Sequence, residues 1–294
     1  MKYRHSFHAG NFADVHKHVT LLALIAALQR KDKGFLYLET HAGRGLYDLN
    51  SADTHQGAEA KSGVKALLAA QPRGALPGHA LDHPQIAAYL TAVQRVRAVS
   101  GSAETYPGSP VLAAQALRVQ DRGLCCEIQA AECRALERAL YSYLRMRCEC
   151  VDGYQGMSAH LPPPERRALV FIDPPYEEQS DDLTRAIAAT HTVLSRLANA
   201  VIALWYPIKD DRELSPKLMQ ASRQLTVPAL VSELWIHPRD ARVGLNGSGL
   251  LIINPPYQLD AEMGAWLPEL GKALGTDRQG GTKVSWIANE QHSA

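Results

Sequence analysis

The chain has 294 residues, a formal net charge of +1, 46% hydrophobic residues and 21% charged residues. This composition supports a full apolar core and excludes a disordered chain. No apolar run approaches the roughly 18 residues a membrane span needs and no signal peptide precedes the domain, so a cytoplasmic protein with no membrane partner is expected.

The near-zero net charge neither announces nor excludes a nucleic-acid binder, but the first 35 residues form a locally basic stretch. There Lys2, Arg4, Lys17, Arg30, Lys31 and Lys33 face only Asp14 and Asp32. Val15, Leu21, Leu22, Ile25 and Leu28 recur at helical spacing and predict a helix over residues 14–30. His16 and His18, two apart on that helix, point to different faces and do not chelate a metal. They read either as hydrogen-bonding histidines or, for His18 or Lys17, as cofactor contacts. A strand at 35–38 runs into Glu39-Thr-His-Ala-Gly43-Arg-Gly45, a turn whose backbone N–H groups can approach a ligand closely. His41 sits inside that turn, beside whatever it binds. The phosphate P-loop pattern is missing.

Residues 47–106 are too long for a simple strand-to-helix connection. They read as a small helical insertion, with helices near 63–70 and 85–99, beside a main domain formed by 1–46 and 107–294. Ser109 is predicted as a helix N-cap with Pro110 at the first helical position. A strand at 124–127 then ends in Glu127, where doubly wound folds bind ribose hydroxyls. A helix at 130–144 and a third strand at 148–151 lead to Asp152-Gly153-Tyr154. The fourth strand, 168–172, is an unbroken apolar run, as expected of a buried parallel strand. A helix at 183–197, a strand at 200–206 and a helix at 211–225 follow. Two late strands, near 230–236 and 249–253, lack a helix between them and predict an antiparallel hairpin at a sheet edge. All five cysteines fall between Cys125 and Cys150 and read as reduced thiols, because no second zinc-type pair accompanies Cys148 and Cys150.

The fourth strand ends in Asp173-Pro-Pro-Tyr176, at the edge where open α/β sheets bind ligands. This set of groups suits chemistry on an exocyclic amine. The lone pair of adenine N6 is delocalised into the ring, so the nitrogen is a poor nucleophile. Asp173 and the carbonyl of Pro174 can each accept an N6 hydrogen bond and aim the lone pair at an electrophile. Tyr176 can stack on the base, worth roughly 1–3 kcal/mol. Asn254-Pro-Pro-Tyr257 nearly repeats the motif. Its place in the terminal hairpin and its weaker amide acceptor predict a structural turn there.

Asp173-Pro-Pro-Tyr176 together with Glu39-x-x-x-Gly43-x-Gly45 resembles the S-adenosylmethionine-dependent N6-adenine methyltransferases. Tyr3-Arg-His-Ser-Phe-His-Ala-Gly-Asn11, Thr40-His-Ala-Gly43, Tyr106-Pro-Gly-Ser-Pro110, Ala203-Leu-Trp-Tyr-Pro207 and Val284-Ser-Trp-Ile287 resemble the bacterial 23S ribosomal RNA adenine-N6 methyltransferase J family. The resemblance implies a Rossmann-like class I methyltransferase sheet with an antiparallel C-terminal hairpin, the helical insertion, and N6-methylation of one adenosine in 23S rRNA. It places cofactor contacts on His18, His41, Ser109, Glu127, Asp152 and Gly153, the catalytic carboxylate on Asp173, and a residue affecting turnover on Tyr3. Glu39 stands where family members have Asp. On this reading Glu127 binds the ribose, Asp152 and Gly153 the adenine end and Gly43 and Gly45 the amino-acid end of S-adenosylmethionine. The basic N-terminal segment, with Tyr3, Arg4 and Lys17, faces the RNA. No metal and no obligate protein partner is implied. The alternatives are a DNA adenine-N6 methyltransferase, a protein-glutamine methyltransferase using Asn254, and a non-catalytic RNA-binding protein on the same scaffold.

Overall fold

The computed structural model describes residues 9–50, 60–70, 83–176, 179–209, 214–222, 225–239, 241, 243–275 and 279–288. Helix α1 (Phe12–Gln29) is almost wholly buried. It begins two residues before the predicted start because Asn11 caps it, its side chain accepting the Asp14 N–H at 2.9 Å. Strand β1 (Leu36–Glu39) follows. Then β2 (Leu46–Asp48) pairs antiparallel with β3 (Thr105–Pro107), closing the base of the excursion that carries α2 (Val64–Ala70) and α3 (Pro84–Ser100). Tyr89, Leu90 and Val93 of α3 share one apolar cluster with α1.

The chain continues through α4 (Ser109–Ala116), β4 (Arg122–Cys126), α5 (Ala130–Leu140), β5 (Met146–Glu149) and α6 (Gly153–His160). Ser109 is the first residue of α4 and Gly108 its cap, one position off the prediction. Then come β6 (Ala168–Ile172), α7 (Gln179–Arg196), β7 (Val201–Ile208), α8 (Leu214–Ser222), β8 (Ala229–Trp235), β9 (Gly247–Ile253), α9 (Leu259–Ala273) and β10 (Gly281–Ala288). The sheet order is β10-β8-β9-β7-β6-β1-β4-β5. Strands β5, β4, β1, β6 and β7 are parallel, whereas β9 runs antiparallel to both β7 and β8.

Helices cover both faces, which explains why the strands read as continuous apolar runs rather than alternating ones. Tyr37 and Phe171 point into the cluster under α1, α5 and α9; Leu36, Leu38, Val170 and Ile172 point into the cluster under α6 and α7. The predicted hairpin forms, but β9 lies inside the sheet and β10 takes the edge. Helix α9 was not predicted. Leu259, Met263, Trp266, Leu267 and Leu270 give it an apolar stripe, while Pro268 within it masks the helical signal. Strand β5 starts two residues before the prediction, since Met146 supplies its buried contact.

Candidate active site

Parallel pairing brings the carboxyl ends of β1, β4, β5 and β6 to one edge. The Thr40 N–H donates to Phe171 O at 3.1 Å, Ala42 N–H to Cys126 O at 3.0 Å and Glu127 N–H to Glu149 O at 3.1 Å. Asp173 therefore leaves the sheet beside the glycine turn that begins at Thr40.

Asp173 is buried, and its Oδ2 accepts from Lys17 Nζ at 2.6 Å. The same ammonium lies 2.9 Å from Asp14 Oδ1 and 5.3 Å from the centroid of Trp205. Lys17 is only 3% exposed. Burial alone would strip its proton, but the charges of Asp14 and Asp173 outweigh it and raise its pKa above the ordinary lysine value. A buried triad of this kind orients Asp173 from below. It also corrects one expectation: Lys17 is not on a solvent-facing phosphate surface, because two carboxylates draw it inward. Among the described residues, Asp173 Oδ1 carries no hydrogen bond.

Asp173 opens on a cleft of about 360 Å³, within the size range of small-molecule and cofactor sites. Lys17, Tyr176, Trp205, Lys209, His237 and Leu245 are among the residues that line it. Pro174 is buried behind Asp173. Tyr176 adopts a left-handed φ of 53°, donates its hydroxyl to Trp205 O at 2.7 Å and meets the Trp205 ring edge-on at 5.7 Å. Trp205 is fixed in turn by Nε1 donating to Ser248 Oγ at 3.0 Å. The sequence reading assigned no role to Trp205 or Asp14. The Trp-Tyr-Pro run closing the fifth parallel strand was the available signal for the first, while nothing local marks the second.

On the other side of Asp173, Glu127 accepts from Gly43 N–H at 2.9 Å and from Gln129 N–H at 2.8 Å, and burial raises its pKa. Asp152 caps α6, its Oδ1 accepting from Tyr154 N–H at 3.0 Å and Gln155 N–H at 3.1 Å. Gly153 is required by close packing, since a Cβ there would stand 1.9 Å from Thr40 O. His41 Nδ1 meets Thr40 Oγ1 at 2.8 Å, and its ring sits edge-on to Tyr154 at 5.2 Å. Burial lowers its pKa to about 4, so it is neutral at pH 7.

Two predicted contacts are engaged deeper in the protein. His18 Nδ1 meets Tyr106 Oη at 2.8 Å, and Ser109 donates its hydroxyl to Glu39, which also accepts from Tyr37 Oη at 2.7 Å. Tyr3 and Arg4 lie outside the described residues. Asn254 stands elsewhere. Ile253 pairs with Ile202 near the start of β7, so β9 delivers Asn254 to the opposite edge of the sheet. There its amide donates to Ala198 O at 2.8 Å and Ala200 O at 2.9 Å, which is the structural turn role expected of it. Among the described residues no group of three or more His, Cys, Asp or Glu side chains could hold a metal ion, and no helix is long and apolar enough to cross a membrane.

Residues 32–288 match the model of a family described as ribosomal RNA large subunit methyltransferase D, RlmJ. The chain belongs to this family. Among RlmJ proteins it is 35% identical over 292 residues to ribosomal RNA large subunit methyltransferase J of Haemophilus influenzae, covering 99% of this chain and 100% of that one. It is 36% identical over 290 residues to the Escherichia coli protein of the same name, again covering 99% and 100%. A crystal structure of a Legionella pneumophila protein superposes with a TM-score of 0.83 at 32% identity, covering 95% of this chain and 98% of that one. The mostly parallel sheet with its antiparallel C-terminal strands is thus the fold of an RlmJ-family methyltransferase.

Proposed function

We propose that this protein transfers a methyl group from S-adenosylmethionine to the exocyclic N6 of an adenosine in 23S ribosomal RNA. The observation that carries the reading is Asp173: a buried carboxylate with one oxygen fixed by Lys17 and the other free, at the mouth of a cleft walled by Tyr176 and Trp205.

The residues present fit the cofactor. Backbone N–H groups of Gly43, Gln129 and Ile128 face the Glu127 carboxylate and leave part of its acceptor capacity for a ribose hydroxyl. Tyr154 Oη is buried with no hydrogen-bond partner among the described residues, next to His41, and suits a polar ligand atom there. Glu127, Asp152, Gly153, His41 and Gly43 would hold the cofactor. Its contribution is a methyl group on a sulfonium sulfur, an electrophile.

Everything else falls to the chain. Substrate adenine leaves its stack to enter the cleft, at a cost of a few kcal/mol that is least in single-stranded or irregular RNA. Tyr176 and Trp205 offer apolar surface to the base. Asp173 Oδ1 and the Pro174 carbonyl accept the two N6–H groups, which directs the nitrogen lone pair away from the ring plane. Lys17 keeps the carboxylate from rotating, so alignment costs little at the moment of reaction. The proton lost from N6 leaves through Asp173 Oδ1. The test is isotope-labelled S-adenosylmethionine with transcribed 23S rRNA, followed by digestion and mass-spectrometric mapping. Label in N6-methyladenosine at one position is expected; no transfer to rRNA, or label at another atom, defeats the reading.

A further inference from the structure

The cleft around Asp173 is lined by two lysines, Lys17, buried against two carboxylates, and Lys209 at its rim, too few to hold an RNA strand. Most backbone phosphates of a bound RNA are therefore met outside the cleft. Helix α5 is amphipathic: Cys133, Leu136 and Leu140 face the core, which leaves Arg134 and Arg138 on its outward face with Tyr141 one turn further. The following turn leads into β5, the edge strand of the sheet, and adds Arg145 and, on the strand face turned away from α5, Arg147. Over residues 134–147 the charges are four arginines against the single Glu137, in a chain with a net charge of +1.

These four arginines lie close together along the chain, whereas the other exposed arginines without an ion pair among the described residues, such as Arg95, Arg166 and Arg196, lie singly. Arg30, Arg44, Arg118, Arg122, Arg185 and Arg239 each pair with a carboxylate. Arg134, Arg138, Arg145 and Arg147 are exposed and make no ion pair among the described residues. Tyr141 is 88% and Leu144 93% exposed between them. A scattered apolar residue on a surface needs no explanation. Two of them, on a fixed turn between the two arginines of α5 and the two that follow, do. The turn is held by Tyr143 N–H donating to Leu140 O at 2.8 Å and Met146 N–H donating to Tyr143 O at 2.9 Å, with Met146 buried beneath.

We infer that the outward face of α5 and the turn after it form a second docking surface for the RNA substrate, engaging strand flanking the target adenosine. This rests on the proposed function. Guanidinium binds phosphate bidentately and stacks on bases, and every base has a π-face for Tyr141. That all four cations are arginine, interleaved with an exposed aromatic ring, fits RNA better than an acidic protein. Position fits too. Helix α5 starts three residues after Glu127 and runs about 16 Å toward the opposite sheet edge. RNA that extends from the cleft across Asp173 and past Glu127 reaches the start of α5. Contacts made there help offset the cost of drawing the adenine out of its stack.

Equilibrium binding of a fluorescent 23S rRNA fragment, from 50 to 200 mM salt and without turnover, tests this. Each single-strand phosphate contact contributes roughly 0.7 to the slope of log affinity against log salt. The Arg134→Ala/Arg138→Ala/Arg145→Ala/Arg147→Ala variant should lose roughly 2–3 from that slope and bind at least about 10-fold more weakly at 50 mM salt. Tyr141→Ala should weaken binding on the order of 10-fold while Tyr141→Phe keeps it. An unchanged slope and affinity in the quadruple variant overturns the inference. Should that variant not fold, Arg138→Glu, a single exposed helix position, decides: several-fold weaker binding supports the surface, wild-type affinity overturns it. Wild-type protein that binds RNA through these residues yet transfers no methyl defeats the proposed function alone. Normal methylation with arginine-independent binding defeats this inference alone.

Discussion

Asp173-Pro-Pro-Tyr176 and Asn254-Pro-Pro-Tyr257 differ by one atom type at the first position, and both close strands buried along their whole length. Strand direction separates them. Strand β6 runs parallel to β1 and β4 and delivers Asp173 to the edge that carries the Thr40–Gly43 turn and Glu127. Strand β9 runs against β7 and delivers Asn254 to the other edge. The first motif keeps a carboxylate oxygen free beside a cleft, whereas the second spends its amide on two carbonyls and leaves Tyr257 80% exposed, against 3% for Tyr176. A short motif therefore carries chemistry only when the sheet brings partners to the same edge.

The comparison breaks most sharply at the carboxylate. Asp173→Asn should lower the methylation rate on the order of 10³-fold, about 4 kcal/mol, as expected for loss of a group that handles the reacting proton. Moving the carboxylate, in Asp173→Asn/Asn254→Asp, should restore nothing. Recovery of even a tenth of the wild-type rate in the labelled-methyl assay would show that edge placement does not decide.

Next is the support under Asp173. Lys17→Met leaves Asp14 and Asp173 buried without their cation, which should cost about 3 kcal/mol of unfolding free energy in urea titrations. Adding Asp173→Asn should recover part of the loss, with Asp14 accounting for the remainder. Strict additivity of the two changes would mean that the pair is not coupled.

Asn254→Ala is the converse experiment. It should lower stability by roughly 1–3 kcal/mol, since it unpairs the carbonyls of Ala198 and Ala200 and puts alanine at a φ of 50°. The methylation rate per folded molecule should stay within about twofold. A selective loss of rate would give the second motif a part in the chemistry.

Much of this arrangement was legible in the sequence, for identifiable reasons. Parallel strands buried on both faces leave unbroken apolar runs, so β1, β4, β6 and β7 announce themselves, and so do the groups at their ends. Long-range pairing leaves no local trace. That Lys17 turns inward to Asp173 across 156 positions, or that β9 slots between β7 and β8, follows from packing rather than from any window of residues. Ser109 shows the same limit. Its place at the start of a helix could be read, but its hydrogen bond to Glu39 depends on β1 lying beneath that helix.

Glu39 gives the smallest effect and sharpens the contrast between the two edges. Burial pushes its carboxyl up to about 8, against the hydrogen bonds donated by Ser109 and Tyr37, and the charge of Asp173 pushes the same way. The unfolded chain loses this proton near 4.5, whereas the folded chain keeps it until about 8. The folded state therefore binds more protons across that window, and stability should fall as pH rises through it and level off above. His16 and His41, whose pKa values burial lowers, act in the opposite direction, and their effect fades only as pH rises past 6.5, so Glu39 is read from the difference between wild type and variant over the range from 6.5 to 8. Glu39→Gln should remove a decline on the order of 1–2 kcal/mol there, read from urea midpoints at each pH. Asp173→Asn should shrink the same decline, because one like charge at that edge is gone, and Asn254→Asp should not. Equal responses to the two would mean that Glu39 does not sense which edge bears the charge.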